Sequence, residues 1–291
     1  MALPDGLYDL LLTEGLARSL AELDPSRADV SALKGGAAEF LADVITRQLS
    51  TILDDVSGEE GEKAKGQLEL VNELLVMLRQ RLAGSSAGGA SASGEVVDLV
   101  APPLRVLRAV QRDQQFPVSP EIGLGVPWLF TAGKGSPSLL QEIRRELVSS
   151  DQVDILVSFI TVSGVRKLQD VLQQITAKGA QQDGQAQPKT RLRILTTTYT
   201  GATEARALDE LARLPGCEVR VSLDGRRTRL HAKAWLFQRK TGFGSAYVGS
   251  ANLSGAALTG GLEWTVKLTQ RAQEALFARA VAHFETLWAD S

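Results

Sequence analysis

Residues 226–264 of this 291-residue chain hold the side chains best suited to chemistry: RRTRLHAKAWLF, then QRKTGF, then GSAYVGSANLSGAALTGGLEW. His231 and Lys233 are two positions apart in LHAKAWLF. Read as a strand, that stretch alternates, sending His231, Lys233 and Trp235 to one face and Leu230, Ala232, Ala234 and Leu236 to the other. A histidine and a lysine projecting side by side suit attack on phosphorus. The imidazole supplies an electron pair and the ammonium a fixed positive charge. The plainer alternative is a strand histidine held by an ordinary hydrogen bond.

Two further groups add to the pair. Gly249-Ser250-Ala251-Asn252 follows the short apolar run SAYV, where small residues let the backbone approach a ligand. The Ser250 hydroxyl and Asn252 amide can donate to phosphate oxygens; alternatively the segment is a turn into a helix with Asn252 as its cap. Glu263 stands near the start of an apolar strand, Leu262 to Leu268. A buried carboxylate there needs a partner, and an imidazole nitrogen would serve.

Between Arg226 and Lys240 lie six cations and no acid: Arg226, Arg227, Arg229, Lys233, Arg239 and Lys240. In a chain of net charge -2 this is a local positive patch able to attract phosphates, or else a solvated face. Thr196 to Thr200 follow the run RLRIL, at the strand end where α/β sheets place ligands. Thr197 and Thr198 are candidates for contact with a nucleic acid backbone, the alternative being a hydroxyl-rich turn. Ser158 and Ser163 flank the end of VDILVSFI in the same way. Gly133-Lys134-Gly135 falls short of a phosphate-binding loop, lacking Ser or Thr after the lysine. No nucleoside triphosphate site is expected.

The elements that must position these groups follow from periodicity. Three amphipathic helices, Glu14–Leu23, Ala37–Ile52 and Glu60–Leu82, predict a small helical bundle over 1–84 with its apolar stripes as core. GSSAGGASASG marks a flexible linker at 85–96, and 97–291 forms the second domain. It opens with a proline-rich connection containing a short helix at 104–112. Helix Leu139–Val148, strand Val153–Ile160, helix Val165–Ile175, strand Arg191–Thr197, helix Glu204–Leu214 and strand Glu218–Leu223 argue for an α/β sandwich with a largely parallel sheet. A polar loop at 178–190 interrupts this order. Strands Leu230–Phe237, Ser245–Val248 and Leu262–Leu268 and helix Gln270–Trp288 close the chain.

Composition narrows the classes. Apolar residues at 44% and charged residues at 23% fit a globular protein. No apolar run is long enough to span a membrane, and Asp5 stands where a secretory signal would carry a cation, so a cytoplasmic location is expected. A lone Cys217 leaves no disulfide framework. With His231 and His283 the only histidines, a multi-histidine metal centre is excluded, and no metal or other cofactor is expected.

His231-x-Lys233 followed by Gly249-Ser250-x-Asn252, with Glu263 downstream, resembles the signature of the phospholipase D superfamily. LVSFITVSGVRKL, RILTTTYTGATEARALDELARL, TRLHAKAWLF, AYVGSANLSGAAL and GLEWTV are similar to the phospholipase D-like domain at the N-terminus of large bacterial superfamily 2 helicases. This resemblance spans roughly residues 125–290, and the opening LPDGLYDLLLTEGLARSLAELDP is similar as well. It implies an α-β-α sandwich with a mixed sheet, preceded by the helical region. It implies a metal-independent phosphodiesterase acting on DNA through a phosphohistidine at His231, with Glu263 orienting the ring. Lys233, Ser250 and Asn252 would hold the non-bridging oxygens. A single motif implies a two-fold homodimer in which His231 of a second copy protonates the leaving oxygen, since His283 reads as structural. It further implies a helicase motor in a longer protein serving DNA repair or defence. The family places an acid five residues after the lysine; here Gln238 stands there, and QRKTGFG lengthens the following turn. A non-catalytic DNA-binding module is the competing reading, and a phospholipid-cleaving enzyme a third, opposed by an aromatic content of only 5%.

Overall fold

The computed structural model describes residues 12–22, 37–84, 99, 118–131, 137–177, 190–223 and 230–290. Backbone contacts divide the chain into two units, Met1–Ala109 and Val110–Ser291. The linker expected at 85–96, the helix at 104–112, the loop at 178–189 and Gly133-Lys134-Gly135 lie outside the described residues.

The first unit holds α1 (Glu14–Ala21), α2 (Ala37–Asp55) and α3 (Glu60–Gly84), close to the three expected helices. Lys63 Nζ and Gln67 Nε2 donate to the Asp54 and Leu53 carbonyls (both 2.8 Å), tying the start of α3 to the end of α2. Among the described residues the expected apolar core is not seen. No described side chain of α1–α3 is buried, and Leu41, Ile45 and Ile52 are more than half exposed. Helical periodicity makes such a stripe but does not say what covers it.

The second unit is a seven-stranded sheet with helices on both faces. In chain order it runs β1 (Trp128–Thr131), α4 (Leu139–Val148), β2 (Gln152–Leu156), α5 (Val162–Thr176), β3 (Arg191–Thr197), α6 (Ala205–Ala212), β4 (Cys217–Ser222), β5 (Ala234–Gln238), β6 (Ser245–Gly249), α7 (Gly255–Thr259), β7 (Trp264–Thr269) and α8 (Glu274–Ala289). The strand order is β1-β7-β6-β5-β2-β3-β4. Only the β2–β3 and β3–β4 pairs are parallel; the pairs β2–β5, β5–β6, β6–β7 and β7–β1 are antiparallel. The sheet is therefore mixed rather than largely parallel, because the chain returns from β4 to pair β5 on the open edge of β2.

Alternation divides the core. Val153, Ile155, Leu192, Ile194, Trp235, Phe237 and Tyr247 pack under Ile143, Leu147, Leu168 and Leu172 of α4 and α5. On the opposite face Leu156, Leu195, Leu236 and Ala246 pack under Phe277, Phe284 and Trp288 of α8. Side-chain caps start α4, α5 and α7 on the first face. Ser138, Thr161 and Ser254 accept from the backbone N–H of Gln141, Gly164 and Ala257 (3.4, 3.2 and 3.2 Å).

Two buried ion networks cross these layers. On the α8 face Arg193 joins Asp154 (2.6 Å) to Glu285 (2.6 Å) and stacks over Phe284 and Trp288. On the α4 face Glu146 meets Arg239 (2.5 Å), Lys267 (3.1 Å) and the Tyr247 hydroxyl (2.8 Å). Breaking one partner of such a pair costs about 3–5 kcal/mol.

Candidate active site

Register places one end of every strand at a single edge. Leu156 pairs with Ala234, Ala234 with Val248, Gly249 with Thr265, and Trp264 with Thr131. This edge also carries the C-terminal ends of parallel β2, β3 and β4, where open α/β sheets bind ligands. His231 and Lys233 stand just before β5, at that edge. The expected strand start at Leu230 moves to Ala234, because β2 ends opposite it at Leu156 and offers no further ladder.

Lys233 is buried and His231 exposed. Lys233 Nζ lies 3.1 Å from Nδ1 and 3.2 Å from Nε2 of His231, and donates to the His231 carbonyl at 2.7 Å. Near-equal distances to both ring nitrogens put the ammonium over the ring face, which leaves the in-plane lone pair for another atom. An ammonium has three N–H groups, so Lys233 keeps donors for a ligand. Burial lowers the Lys233 pKa, and the Glu263 carboxylate opposes that fall.

Asn252 is held from behind. Its Oδ1 accepts from the backbone N–H of Ser158 (3.0 Å) and Phe159 (3.3 Å), so its Nδ2 remains as a donor. The helix cap expected of Asn252 is made by Ser254 instead. Ser250 is exposed; its N–H donates to the Trp264 carbonyl (3.0 Å) and its Oγ accepts from the Trp264 N–H (3.1 Å). Gly249 has no room for a side chain, since a Cβ there would fall 2.1 Å from the Trp264 carbonyl oxygen. Its smallness serves close packing against β7 rather than a ligand. Gly164 is just as confined, since a Cβ there would fall 2.3 Å from the Leu253 carbonyl oxygen, and this close approach locks the 249–255 loop to the start of α5.

Glu263 is half-buried immediately before β7. Among the described residues no hydrogen bond joins it to His231; its charge acts on Lys233. His283 is exposed on α8.

The residues expected to meet nucleic acid separate. Arg226, Arg227 and Arg229 lie outside the described residues. Arg239 and Lys240 sit beyond the other end of β5, roughly 26 Å of strand from His231 at 3.3 Å per residue. Arg239 is spent on Glu146, Ser149 and the Phe243 carbonyl, while Lys240 is exposed. Thr197 is buried, with its hydroxyl donating to the Ser222 carbonyl (3.0 Å) and accepting from Tyr199 N–H (3.1 Å), a turn rather than a ligand contact. Thr198 is exposed at the site edge. Ser163 braces the loop, accepting from Gly255 N–H (3.3 Å).

Gln238 closes β5 at the far end and donates to Asp154 Oδ2 at 2.7 Å. Asp154 is fully buried and already accepts from Arg193 (2.6 Å) and Gln152 (2.9 Å). Where the superfamily motif carries an acid, this chain carries the donor its neighbour requires. The lengthened QRKTGFG segment is the hairpin turn between β5 and β6, with Gly242 at φ 78° and its N–H donating to the Arg239 carbonyl (3.0 Å).

Sequence reasoning missed a cavity of about 190 Å³ that has Glu263 in its wall. Three separate chain segments build it, so no local pattern signals it. A larger open groove of about 640 Å³ runs along α3 and holds none of the residues above. Among the described residues no cluster of three or more His, Cys, Asp or Glu could hold a metal, and no helix is long and apolar enough to cross a membrane.

The family described as "Cardiolipin synthase, PLD-like domain" matches residues 143–288. No curated protein matches the chain. Solved structures that it is similar to include NucT from Helicobacter pylori, at 16% identity and a TM-score of 0.42, covering 56% of this chain and 96% of that one. Nuc from Salmonella typhimurium, a phospholipase D family member, gives 15% identity and a TM-score of 0.39, with 56% and 95% covered. Phosphatidylserine synthase from Haemophilus influenzae Rd KW20 gives 14% and 0.35, with 53% and 36% covered. The family match takes in just over half of the chain, including His231, Lys233, Ser250, Asn252 and Glu263, and on it the chain belongs to the phospholipase D superfamily, as a phosphodiesterase-type enzyme built on its PLD-like domain.

Proposed function

We propose that the protein is a nuclease that cleaves DNA without a metal ion, through a phosphohistidine at His231. The observation that carries this reading is the Lys233 ammonium held 3.1–3.2 Å from both ring nitrogens of an exposed histidine. A ring nitrogen of His231 attacks phosphorus and forms the P–N bond, and the P–O bond to the leaving strand breaks. Lys233 and Asn252 Nδ2 stabilise the negative charge on the non-bridging oxygens. Ser250 shares that work by exchanging its bond to Trp264. A second imidazole protonates the leaving oxygen, then takes a proton from the water that attacks phosphorus and frees His231.

The second imidazole is His231 of another copy, in a two-fold dimer closed over the site. A surface on the α8 face supports that arrangement. Leu129, Val266 and Val248 form a row across β1, β7 and β6, each 41% exposed, with Trp264 beside them at 67%. Arg226, Arg227 and Arg229, which precede His231 closely in sequence, draw the DNA backbone to it. The nuclease works in the cytoplasm, joined to a helicase motor in a longer protein for repair or defence.

The competing reading, a DNA-binding module without turnover, is favoured by the absence of an acid at Gln238. The pairing of Gln238 with Asp154, well away from His231, favours the catalytic reading. The test is cleavage of labelled single- and double-stranded DNA in excess EDTA, wild type against His231→Ala. Cleavage lost in the variant supports the proposal. DNA binding without cleavage by either protein supports the binding module, and metal-dependent cleavage indifferent to the substitution sinks the mechanism.

A further inference from the structure

The cavity beside Glu263 lies between the end of β1, the start of α4 and α7, with Phe130, Thr131, Leu139, Leu258 and Thr259 in its wall. Its volume of about 190 Å³ is below the ~300–1,000 Å³ of pockets that enclose drug-sized ligands. It is also several times the ~30 Å³ share of one water molecule. One small planar heterocycle matches that space. The lining has two characters. Phe130, Leu139 and Leu258 offer apolar contact to the faces of such a ring, while Thr131, Thr259 and the Ser138 hydroxyl can meet its polar edge. Glu263 adds an acceptor suited to an exocyclic amine. Glu263 directly precedes β7, whose first residues pair with Thr131 and Gly249 at the edge that also carries Lys233, so the cavity opens on the edge where the attacked phosphate sits.

We infer that this cavity seats the nucleobase flanking the scissile phosphate, unstacked from its strand, and so selects single-stranded over duplex DNA. The inference rests on the nuclease reading above and adds to it the form of nucleic acid. A base in a duplex must give up pairing and stacking to enter, whereas a base in a single strand gives up far less. The seat also fixes the register of the backbone over His231, so bonds are cut where a base can be seated.

The test maps cleavage along a labelled single strand carrying one abasic residue, using the wild-type chain. The bond on the seated side of the abasic residue should be cut on the order of tenfold less than the other bonds of that strand, which serve as internal controls. Thr259→Trp, at the exposed rim, should lower kcat/KM for the oligonucleotide by a similar factor, and by more than for bis(p-nitrophenyl) phosphate, since that ester carries no base. Equal cutting at every bond around the abasic residue overturns the seat and leaves the nuclease reading standing. Duplex cut as fast as single strand overturns the selectivity. Hydrolysis of the small ester with no cleavage of DNA overturns the nuclease reading and the seat together. Cleavage of phosphatidyl lipids that Thr259→Trp abolishes would assign the cavity to a headgroup and overturn the seat. The abasic map decides the matter even if Thr259→Trp fails to fold.

Discussion

Restoring the superfamily's acid by Gln238→Asp should harm this protein. Gln238 is one of three donors to the fully buried Asp154, at 2.7 Å, beside Arg193 at 2.6 Å and Gln152 at 2.9 Å. The change removes a hydrogen bond to a charged group, worth about 1.5–3 kcal/mol. It also sets a second carboxylate about 4–5 Å from the first, a repulsion of about 3–4 kcal/mol at an effective dielectric of about 20. Position 238 is half-buried, so solvent screening and rotation of the new side chain reduce the total to about 2–4 kcal/mol. Protonation relieves the repulsion, so the penalty is largest at neutral and alkaline pH and shrinks on acidification. Urea unfolding of the wild type and the variant across that range measures it. Asp154→Asn combined with Gln238→Asp should recover much of the loss, a coupling of about 1–3 kcal/mol in a double-mutant cycle. A variant as stable as wild type at alkaline pH, or a cycle without coupling, would refute the assignment of Gln238 as a partner of Asp154.

Other outcomes follow from the same geometry. Asn252→Ala removes the Nδ2 donor and the acceptor for Ser158 and Phe159 N–H, and should cost about 10²–10³ in kcat on a phosphodiester, read by steady-state kinetics; a loss confined to KM would deny it a role in the transition state. Glu263→Gln removes the charge that raises the Lys233 pKa against burial, so the alkaline limb of the rate profile should move to lower pH. A shift of the acid limb instead would mean that Glu263 acts on His231. Burial alone would raise the Glu146 carboxyl, but Arg239 and Lys267 outweigh it and hold its pKa below the usual carboxylate range. Its folded pKa being the lower one, its stabilisation is full above about pH 4.5 and is lost as pH falls through the folded value. Glu146→Gln should cost about 3–5 kcal/mol at neutral pH, with a smaller deficit in acid; a deficit that does not change with pH contradicts the pairing.

Much of the second unit was legible in the sequence because its strands are short, apolar and bounded by polar turns. Arg191–Thr197 and Leu139–Val148 came out at their expected bounds. β1 did not, because four residues after a proline-rich stretch carry too little period to register, and its pairing with β7 spans most of the unit. Strand direction was not legible either: β5 joins the sheet beside β2, and nothing local to LHAKAWLF encodes that partner. The His231–Lys233 adjacency followed from two-residue spacing alone. The separation of Arg239 from His231 did not: the single patch expected over Arg226–Lys240 overlooked that eight residues of extended chain cannot share one phosphate. The partner of Glu263 and the cavity beside it depend on how β1, α4 and α7 meet, which is tertiary.

The most direct measurement is a search for the covalent intermediate. The protein is mixed with DNA in excess EDTA, quenched in alkali, where a phosphohistidine survives, and digested for mass spectrometry. A nucleotide adduct is expected on the peptide containing His231, absent in His231→Ala. DNA cleavage at full rate with no adduct at that histidine, or cleavage that persists in His231→Ala, would contradict the phosphohistidine mechanism.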